Sequence, residues 1–302
     1  MEERKARIVT EPTIFVMAEM GIVPDAYDNL LAWLKEFAPE CLDPGEEGQP
    51  AVNRIFPHDG HDVFVNSITG ESAPGYPRKV TDNELLVEVC GRKCYNSFGL
   101  KAGRRGNAGY IANLFGEPGK IPHASVIYHA KMTFFFAGIG RRVSHELIRH
   151  YVGADRDEEG SPSQESTRFT HHSGHFSLHP RDAESDKETG QFLTDMSVAY
   201  GIYRNYLSRQ IEEFKAANDG KEPKGMDRKR IYEAAAQRLP GAACTSFTWT
   251  TNPMALAKLF TERCDYAADL EIQRFACKLR DLCYARWPNL FMATNPVVRH
   301  GG

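Results

Sequence analysis

Residues 125–136 are dense in apolar and aromatic side chains and end in Phe134, Phe135 and Phe136. Such continuous apolarity predicts a core strand covered on both faces. Gly138 and Gly140 are expected to end the strand, and 141–150 (RRVSHELIRH) reads as a helix. Upstream, Tyr27, Leu30, Leu31, Leu34 and Phe37 recur at helical spacing and predict a helix over 24–38. The stretch 39–62 reads as loop, 62–68 (DVFVNSI) as a strand, and 82–90 as the start of a helix capped by Thr81 or Asp82.

Residues 99–109 read as a flexible basic, Gly-rich loop, and 152–165 as a polar loop. Three helices follow, over 190–215, over 228–238 and from Pro253 to about Arg286, with a strand around 247–251 (FTWTT) before the last. The elements mix without a regular βαβ rhythm or an internal repeat. The expectation is an α/β (α+β) chain with one compact domain and an N-terminal elaboration.

Composition narrows the function classes. Lys and Arg number 37 against 40 Asp and Glu, a net charge of −3, so neither a nucleic-acid coat nor an acidic tail is indicated. Mean hydropathy is −0.47, and no apolar run approaches the ~20 residues of a membrane helix. The start, Met-Glu-Glu-Arg-Lys, lacks the apolar region of a secretory signal. Seven dispersed cysteines do not form a disulfide framework. A soluble, cytoplasmic protein with no membrane or nucleic-acid partner is expected.

Arg263 falls on the same stripe as Leu256, Leu259, Phe260, Ala267 and Leu270. A guanidinium there is costly unless an acceptor meets it. Snorkelling, an internal ion pair and a bound anionic ligand all remain open on spacing alone. Six of the eleven histidines lie between His145 and His179, which raises a metal site. His145 and His150 are five apart, about 140° around a helix, and cannot ligate one ion from one face. His171, His172, His175 and His179 lack regular ligand spacing with cysteines, so no metal is expected. Arg149 and His150, followed by Ser163, Gln164, Ser166 and Arg168, can instead cradle a phosphate. Cys90 and Cys94, at i, i+4, read as packing, and Cys244 has no adjacent histidine. No P-loop or dinucleotide glycine motif is present.

Arg149-His150 followed by Ser163-Gln164-Glu165-Ser166-Thr167-Arg168-Phe169 resembles the signature of the flavin-dependent thymidylate synthases (the ThyX family), R-H-R, a spacer, then N-E-x-S-x-R-Y. Four further blocks agree in order. They are Gly91-Arg92-Lys93-Cys94-Tyr95, then His123-Ala124-Ser125 with His129 and Thr133-Phe134, then Leu239-Pro240 with Thr245, then Trp249-Thr250-Thr251-Asn252 with Leu259, Arg263 and Glu271-Ile272. The resemblance covers roughly 85–292. It implies a thymidylate synthase-complementing-protein-like fold, a central mixed sheet flanked by helices, with 85–302 as the catalytic domain and 1–84 as an elaboration packed on it.

The resemblance also implies a homotetramer holding FAD between subunits. Such an enzyme moves the methylene of methylenetetrahydrofolate to C5 of uridylate, takes a hydride from reduced flavin, and uses NADPH as reductant. By the match, Arg263 would polarise the pyrimidine, and Ser166 and Arg168 would hold the nucleotide, with Ser166 and Arg263 as the catalytic pair. Glu146, Arg149, Gln164 and Arg238 complete the implied substrate set. Cys94, His123, Ser125, Arg149, His150, Tyr151 and Asn252 are the implied FAD contacts. The chain departs from the pattern at Tyr151 (an arginine in the family), Glu146 (glutamine), Gln164 (glutamate), Ala236 (arginine, with Arg238 two residues on), Tyr128 (glutamate), Met254 (arginine) and Ala267 (histidine). The spacer 152–165 is also lengthened. A divergent member is therefore expected, acting on dUMP and/or UMP as specialised relatives in polyoxin-type nucleoside-antibiotic pathways do. Two alternatives stand beside it, a non-catalytic nucleotide- or RNA-binding module that kept the fold and a metal hydrolase built on the histidine cluster.

Overall fold

A computed structural model of the chain describes residues 6–42, 56, 80–103, 105–115, 122–151 and 161–291. In chain order the elements are β1 (Arg7–Val9), β2 (Thr13–Glu19), α1 (Ala26–Phe37), α2 (Asp82–Tyr95), α3 (Asn107–Phe115), α4 (Ala124–Ile127), β3 (Met132–Gly140), α5 (Arg141–Tyr151), β4 (Ser161–Gln164), β5 (His175–Ser177), α6 (Asp186–Ala217), α7 (Gly225–Ala236), β6 (Cys244–Thr251), α8 (Pro253–Arg263), α9 (Leu270–Arg286) and α10 (Pro288–Phe291). Helices and sheet combine as expected. The expected mixed sheet resolves into a four-stranded sheet, β2-β3-β6-β4, antiparallel throughout, with parallel pairing confined to a separate β1–β5 ribbon.

Alternation decides the sheet's two faces. On β3, Met132, Phe134 and Phe136 point into the core, and on β6 Phe247 and Trp249 join them. Phe136 meets Phe275 of α9 edge-on at 4.9 Å, and Phe134 meets Trp287 at 6.1 Å. The opposite face carries Thr133, Phe135, Thr248 and Thr250, with Phe15 of β2 stacked on Phe135 at 5.1 Å. Strand β2, which precedes residue 85, thus forms one edge of the sheet, paired antiparallel with β3 from Thr13↔Ala137 to Glu19↔Met132 with a register shift between Val16 and Ala18. Helix α1 packs Leu34 and Ala38 with Cys41 and Phe98 in a small cluster of its own.

Several boundaries differ from the sequence expectations, each for a physical reason. The apolar run at 125–136 is divided: 124–127 form a helical turn, and the strand begins at Met132 and runs on to Gly140. Gly138 does not end it. It adopts φ +75° at a register shift between Ala137 and Ile139, where a Cβ would lie 2.9 Å from Val9 Cγ1. That is a bulge that only glycine fits. Part of the expected loop 152–165 is strand β4, an edge strand on β6, where Pro162 costs no ladder bond facing inward. The basic loop at 99–109 gives way at Asn107 to α3, whose first side chain donates to Glu84 O and Glu88 Oε2. Arg104 lies outside the described residues.

The single helix expected from Pro253 to Arg286 is two. Asp265 Oδ1 accepts from Ala267 N at 2.9 Å, and Asp269 Oδ1 accepts from Glu271 N at 3.0 Å. Those short acidic side chains compete with the helical ladder and restart it as α9. The expected caps and helices at α1, α2, α5, α6 and α7 stand within a few residues, and α2 starts in a Thr81–Glu84 capping box. The strand expected at 62–68 lies outside the described residues.

Candidate active site

Glu146 and His150 are four apart on α5 and so share one face of the helix. That face meets the C-terminal turn of α8, whose buried stripe Leu256, Leu259, Phe260 ends at Arg263. Arg263 Nε donates to His150 Nε2 at 2.9 Å, and Arg263 Nη1 lies 3.6 Å from Glu146 Oε2. Ala267 and Leu270 fall beyond α8, so the stripe stops at Arg263, and the internal ion pair is one of its partners. On the far side of the ring, Glu262 Oε2 is 3.6 Å from His150 Nδ1.

His150 is 4% exposed. Burial, and then the neighbouring Arg263 charge, push its pKa down to about 4. The imidazole is therefore neutral at pH 7. Because Arg263 can only donate, Nε2 is the acceptor and the proton sits on Nδ1, toward Glu262. A guanidinium held by Nε keeps its Nη end in a fixed plane, where Nη1 faces Glu146 and an incoming acceptor would compete with that carboxylate.

A second group gathers at the other end of α5. Gln164 Nε2 donates to Ser144 Oγ at 2.8 Å and to Thr245 Oγ1 at 3.4 Å. Arg141 Nη2 donates to Glu165 O at 3.1 Å. Ser166 opens a tight turn: its Oγ accepts from Arg168 N, and its carbonyl accepts from Phe169 N and Thr170 N. Arg168 is exposed and pairs with Glu233 of α7 at 2.8 Å. Arg238 places its guanidinium carbon 3.5 Å from the centre of the Tyr206 ring and donates to Ala234 O.

The implied flavin contacts are dispersed. His123 is exposed at the start of α4 and lines a pocket of about 290 Å³ with Arg92, Tyr95, Tyr110 and Asn113. Cys94 and Ser125 are exposed near by in sequence but do not line that pocket, and the Cys94 thiol donates to Cys90 O. Arg149 is exposed at the end of α5, and Tyr151 closes that helix. His150 turns to Arg263, and Asn252 is buried, its Oδ1 capping α8 through Met254 N and Ala255 N. The exposed Tyr95 and Arg105 of the lining suit a ring or a phosphate, whereas Arg92 is buried over the Tyr110 ring and committed to Glu88 and to the Ser97, Ala102 and Arg105 carbonyls. At about 290 Å³ the pocket is at the small end of the range for bound ligands.

Spacing alone did not reveal Glu262, Glu233, Arg141 or Ser144. Glu262 carried a faint signal as the neighbour of the stripe arginine. The histidine cluster is dispersed among separate tasks. His172 Nδ1 accepts from Gly174 N, His175 bonds Ser173, and His179 accepts from Arg181 N. Among the described residues no three His, Cys, Asp or Glu side chains converge to hold a metal, and no helix is long and apolar enough to cross a membrane.

Residues 78–289 match the family described as thymidylate synthase complementing protein. The flavin-dependent thymidylate synthase of Mycolicibacterium vanbaalenii is 32% identical over 220 residues, covering 72% of this chain and 82% of that protein. The enzyme of the same name from Mycobacterium leprae is 32% identical over 193 residues, covering 63% and 72%. Among solved structures, the UMP/dUMP methylase PolB of Streptomyces cacaoi, bound with 5-Br UMP, aligns over 95% of each chain with a TM-score of 0.54 at 14% identity, a likeness of fold.

Proposed function

We infer the reaction from a premise: the chain belongs to the thymidylate synthase complementing protein family, the flavin-dependent thymidylate synthases, and is an FAD-dependent methyltransferase. The reaction proposed is C5-methylation of uridylate, dUMP and/or UMP, with methylenetetrahydrofolate as one-carbon donor and NADPH as reductant. FAD, when bound, would supply the hydride that completes the methyl group. The observation that carries the reading is Arg263, anchored at Nε by a neutral histidine, with its Nη1 facing the Glu146 carboxylate at 3.6 Å, a partner that an incoming acceptor would share or displace.

Each proposed step uses this chain's own groups. The Nη end of Arg263 would meet a uracil oxygen and stabilise negative charge as C5 becomes nucleophilic. Glu146, close to Nη1, would accept from a ligand N–H or hydroxyl. Ser166, Gln164, Arg168 and Arg238 would take the sugar and phosphate, with Ser166 aligning the nucleotide for the step. For that, Arg168 must exchange Glu233 for phosphate, a change toward the stronger, more highly charged acceptor. Arg149, His123, Cys94, Ser125 and Tyr151 remain the proposed flavin side, with the buried His150 and Asn252 acting from behind it as supports.

The split into three groups on one chain supports a homotetramer whose sites are completed between copies. Acceptance of UMP, and a place in nucleoside-antibiotic synthesis, are proposed from the changed pocket positions Glu146, Gln164 and Tyr151 and the lengthened spacer.

The test supplies 5-tritiated dUMP and UMP with methylenetetrahydrofolate, FAD and NADPH. Tritium release and a yellow purified protein are expected. Uridylate binding without tritium release would replace this reading with the non-catalytic nucleotide-binding one, which the carboxylate pairing of Arg168 and Arg263 favours. Protein that takes up no flavin on titration would overturn the flavin chemistry.

A further inference from the structure

The pocket beside His123 is walled in part by one short segment, whose Ser97, Ala102 and Arg105 line it. Arg92 holds that segment from within. It is fully buried, and its Nε donates to Glu88 Oε1 at 2.7 Å. Its Nη1 donates to Ser97 O at 3.0 Å and to Ala102 O at 2.9 Å, and its Nη2 donates to Arg105 O at 2.8 Å. Three carbonyls tied to one rigid planar fork fix where this backbone runs. These bonds hold carbonyls only, so the side chains of the segment need a support of their own.

That support comes from the chain before residue 85. Phe98 is fully buried, and it packs with Leu34 and Ala38 at the end of α1 and with Cys41 in the 3₁₀ turn Pro39–Cys41. None of these four residues lines the pocket. The Cys41 thiol donates to Asn96 O at 3.2 Å, where Asn96 turns the chain at φ +47°. Lys101 Nζ donates to Glu40 Oε1 at 2.8 Å, and Lys93 Nζ lies 4.3 Å from the centre of the Trp33 ring. The Phe98 seat dominates this set. A buried aromatic ring carries a large apolar area, whereas the Lys101–Glu40 pair is half-exposed and screened.

We propose that the N-terminal segment Ala26–Leu42 is a positioning brace: by seating Phe98 it fixes the wall from Ser97 to Ala102, and so sets how tightly the pocket holds the ring or phosphate of a flavin dinucleotide. The wall is then clamped from two sides, by Arg92 through its carbonyls and by α1 through Phe98. Leu34 and Phe98 touch no ligand and act only through the wall. Tyr95 and Arg105, which flank the clamped stretch and are exposed, are the groups whose placement the brace controls.

Without the seat, the wall is held by Arg92 alone. A ligand must then reorder the loosened backbone as it binds, and that ordering is subtracted from its affinity. Reordering one residue corresponds to about 5–30-fold in affinity. The identity of the ligand rests on the flavin reading above; the bracing of the wall does not.

The experiment substitutes Leu34→Ala in the full-length protein, which opens a cavity under Phe98 without touching the pocket lining. Two quantities are read: amide hydrogen exchange of the peptides covering 96–103, by mass spectrometry without ligand, and FAD affinity, by quenching of flavin fluorescence. Exchange at 96–103 should quicken about tenfold or more, and FAD should bind about 5–30-fold more weakly. Leu207→Ala is the control, an equal truncation in a separate core cluster, and should leave both quantities within about twofold. Cys41→Ala removes only the donor to Asn96 O, and should shift both in the same direction by about twofold to fivefold; it decides the matter if Leu34→Ala fails to fold. Unchanged exchange at 96–103 in the folded variants would overturn the brace. Faster exchange with unchanged FAD affinity would overturn its coupling to the pocket, and an equal loss of affinity in Leu207→Ala would reduce the effect to general destabilisation. A parent protein that binds no FAD, with the wall still loosened by Leu34→Ala, would overturn the flavin reading and leave the brace standing.

Discussion

Replacing Arg263 by alanine tests the site at two independent places. The first is His150. Its imidazole is held down to about 4 by burial first and the Arg263 charge second. Removing the guanidinium deletes the second cause and leaves the first, so the His150 pKa should rise but stay below the ordinary 6.5. The second place is turnover. A positioned donor aimed at developing charge is worth about 10²–10³ in kcat, roughly 3–4 kcal/mol. The variant should lose that much in tritium release. Its fold should survive, since Arg263 is partly exposed and Glu146 can turn to water. Imidazole titration by NMR reads the first effect, and tritium release with both nucleotides reads the second. An unmoved His150 titration would show that the Arg263–His150 contact does not exist. Full turnover would refute the role given to the guanidinium.

Acid stability follows from two histidines, His150 and His172, each buried and pushed down to about 4. The unfolded chain binds those protons near 6.5, so the stability they confer is complete above that pH and is lost as pH falls from about 6.5 to about 4. The loss is about 3 kcal/mol each; denaturant midpoints across that range should show it, and a flat profile would contradict the burial. Glu233→Gln should release Arg168 and tighten nucleotide binding a few-fold, since an exposed pair is worth about 0.2–1 kcal/mol. Calorimetric titration showing weaker binding would count against phosphate exchange at Arg168. Asn252→Ala should cost about 1–2 kcal/mol of stability through the lost α8 cap, while Asn252→Ser retains most of it; equal losses in thermal unfolding would deny the capping role. Gly138→Ala places a Cβ 2.9 Å from Val9 Cγ1 at φ +75° and should destabilise by roughly 1–3 kcal/mol in the same assay.

The legibility of this molecule in its sequence follows from how far apart the deciding interactions lie. Helices α1, α2, α5, α6 and α7 were readable because periodicity and caps act within a few residues. The division of 125–136 was not readable, because a buried helical turn and a buried strand have the same composition. What separates them is pairing: Met132↔Thr251 begins the ladder 119 positions away in the chain. The break between α8 and α9 was readable in principle, since Asp265 and Asp269 are both good capping residues, but the apolar stripe outweighed them. At the site, Arg263 was conspicuous because a charge on an apolar stripe demands a partner. Which partner it finds is tertiary. His150 was expected on the flavin side; in this chain its Nε2 accepts from the Arg263 guanidinium. That placement changes the argument about the family's signature. An R-H pair ending a helix can serve two surfaces at once, with the exposed Arg149 facing outward and the buried His150 holding a second arginine from another helix. A histidine that fills this post must stay uncharged, because an imidazolium could not accept from Arg263, and its burial on α5 is the physical device that keeps it so.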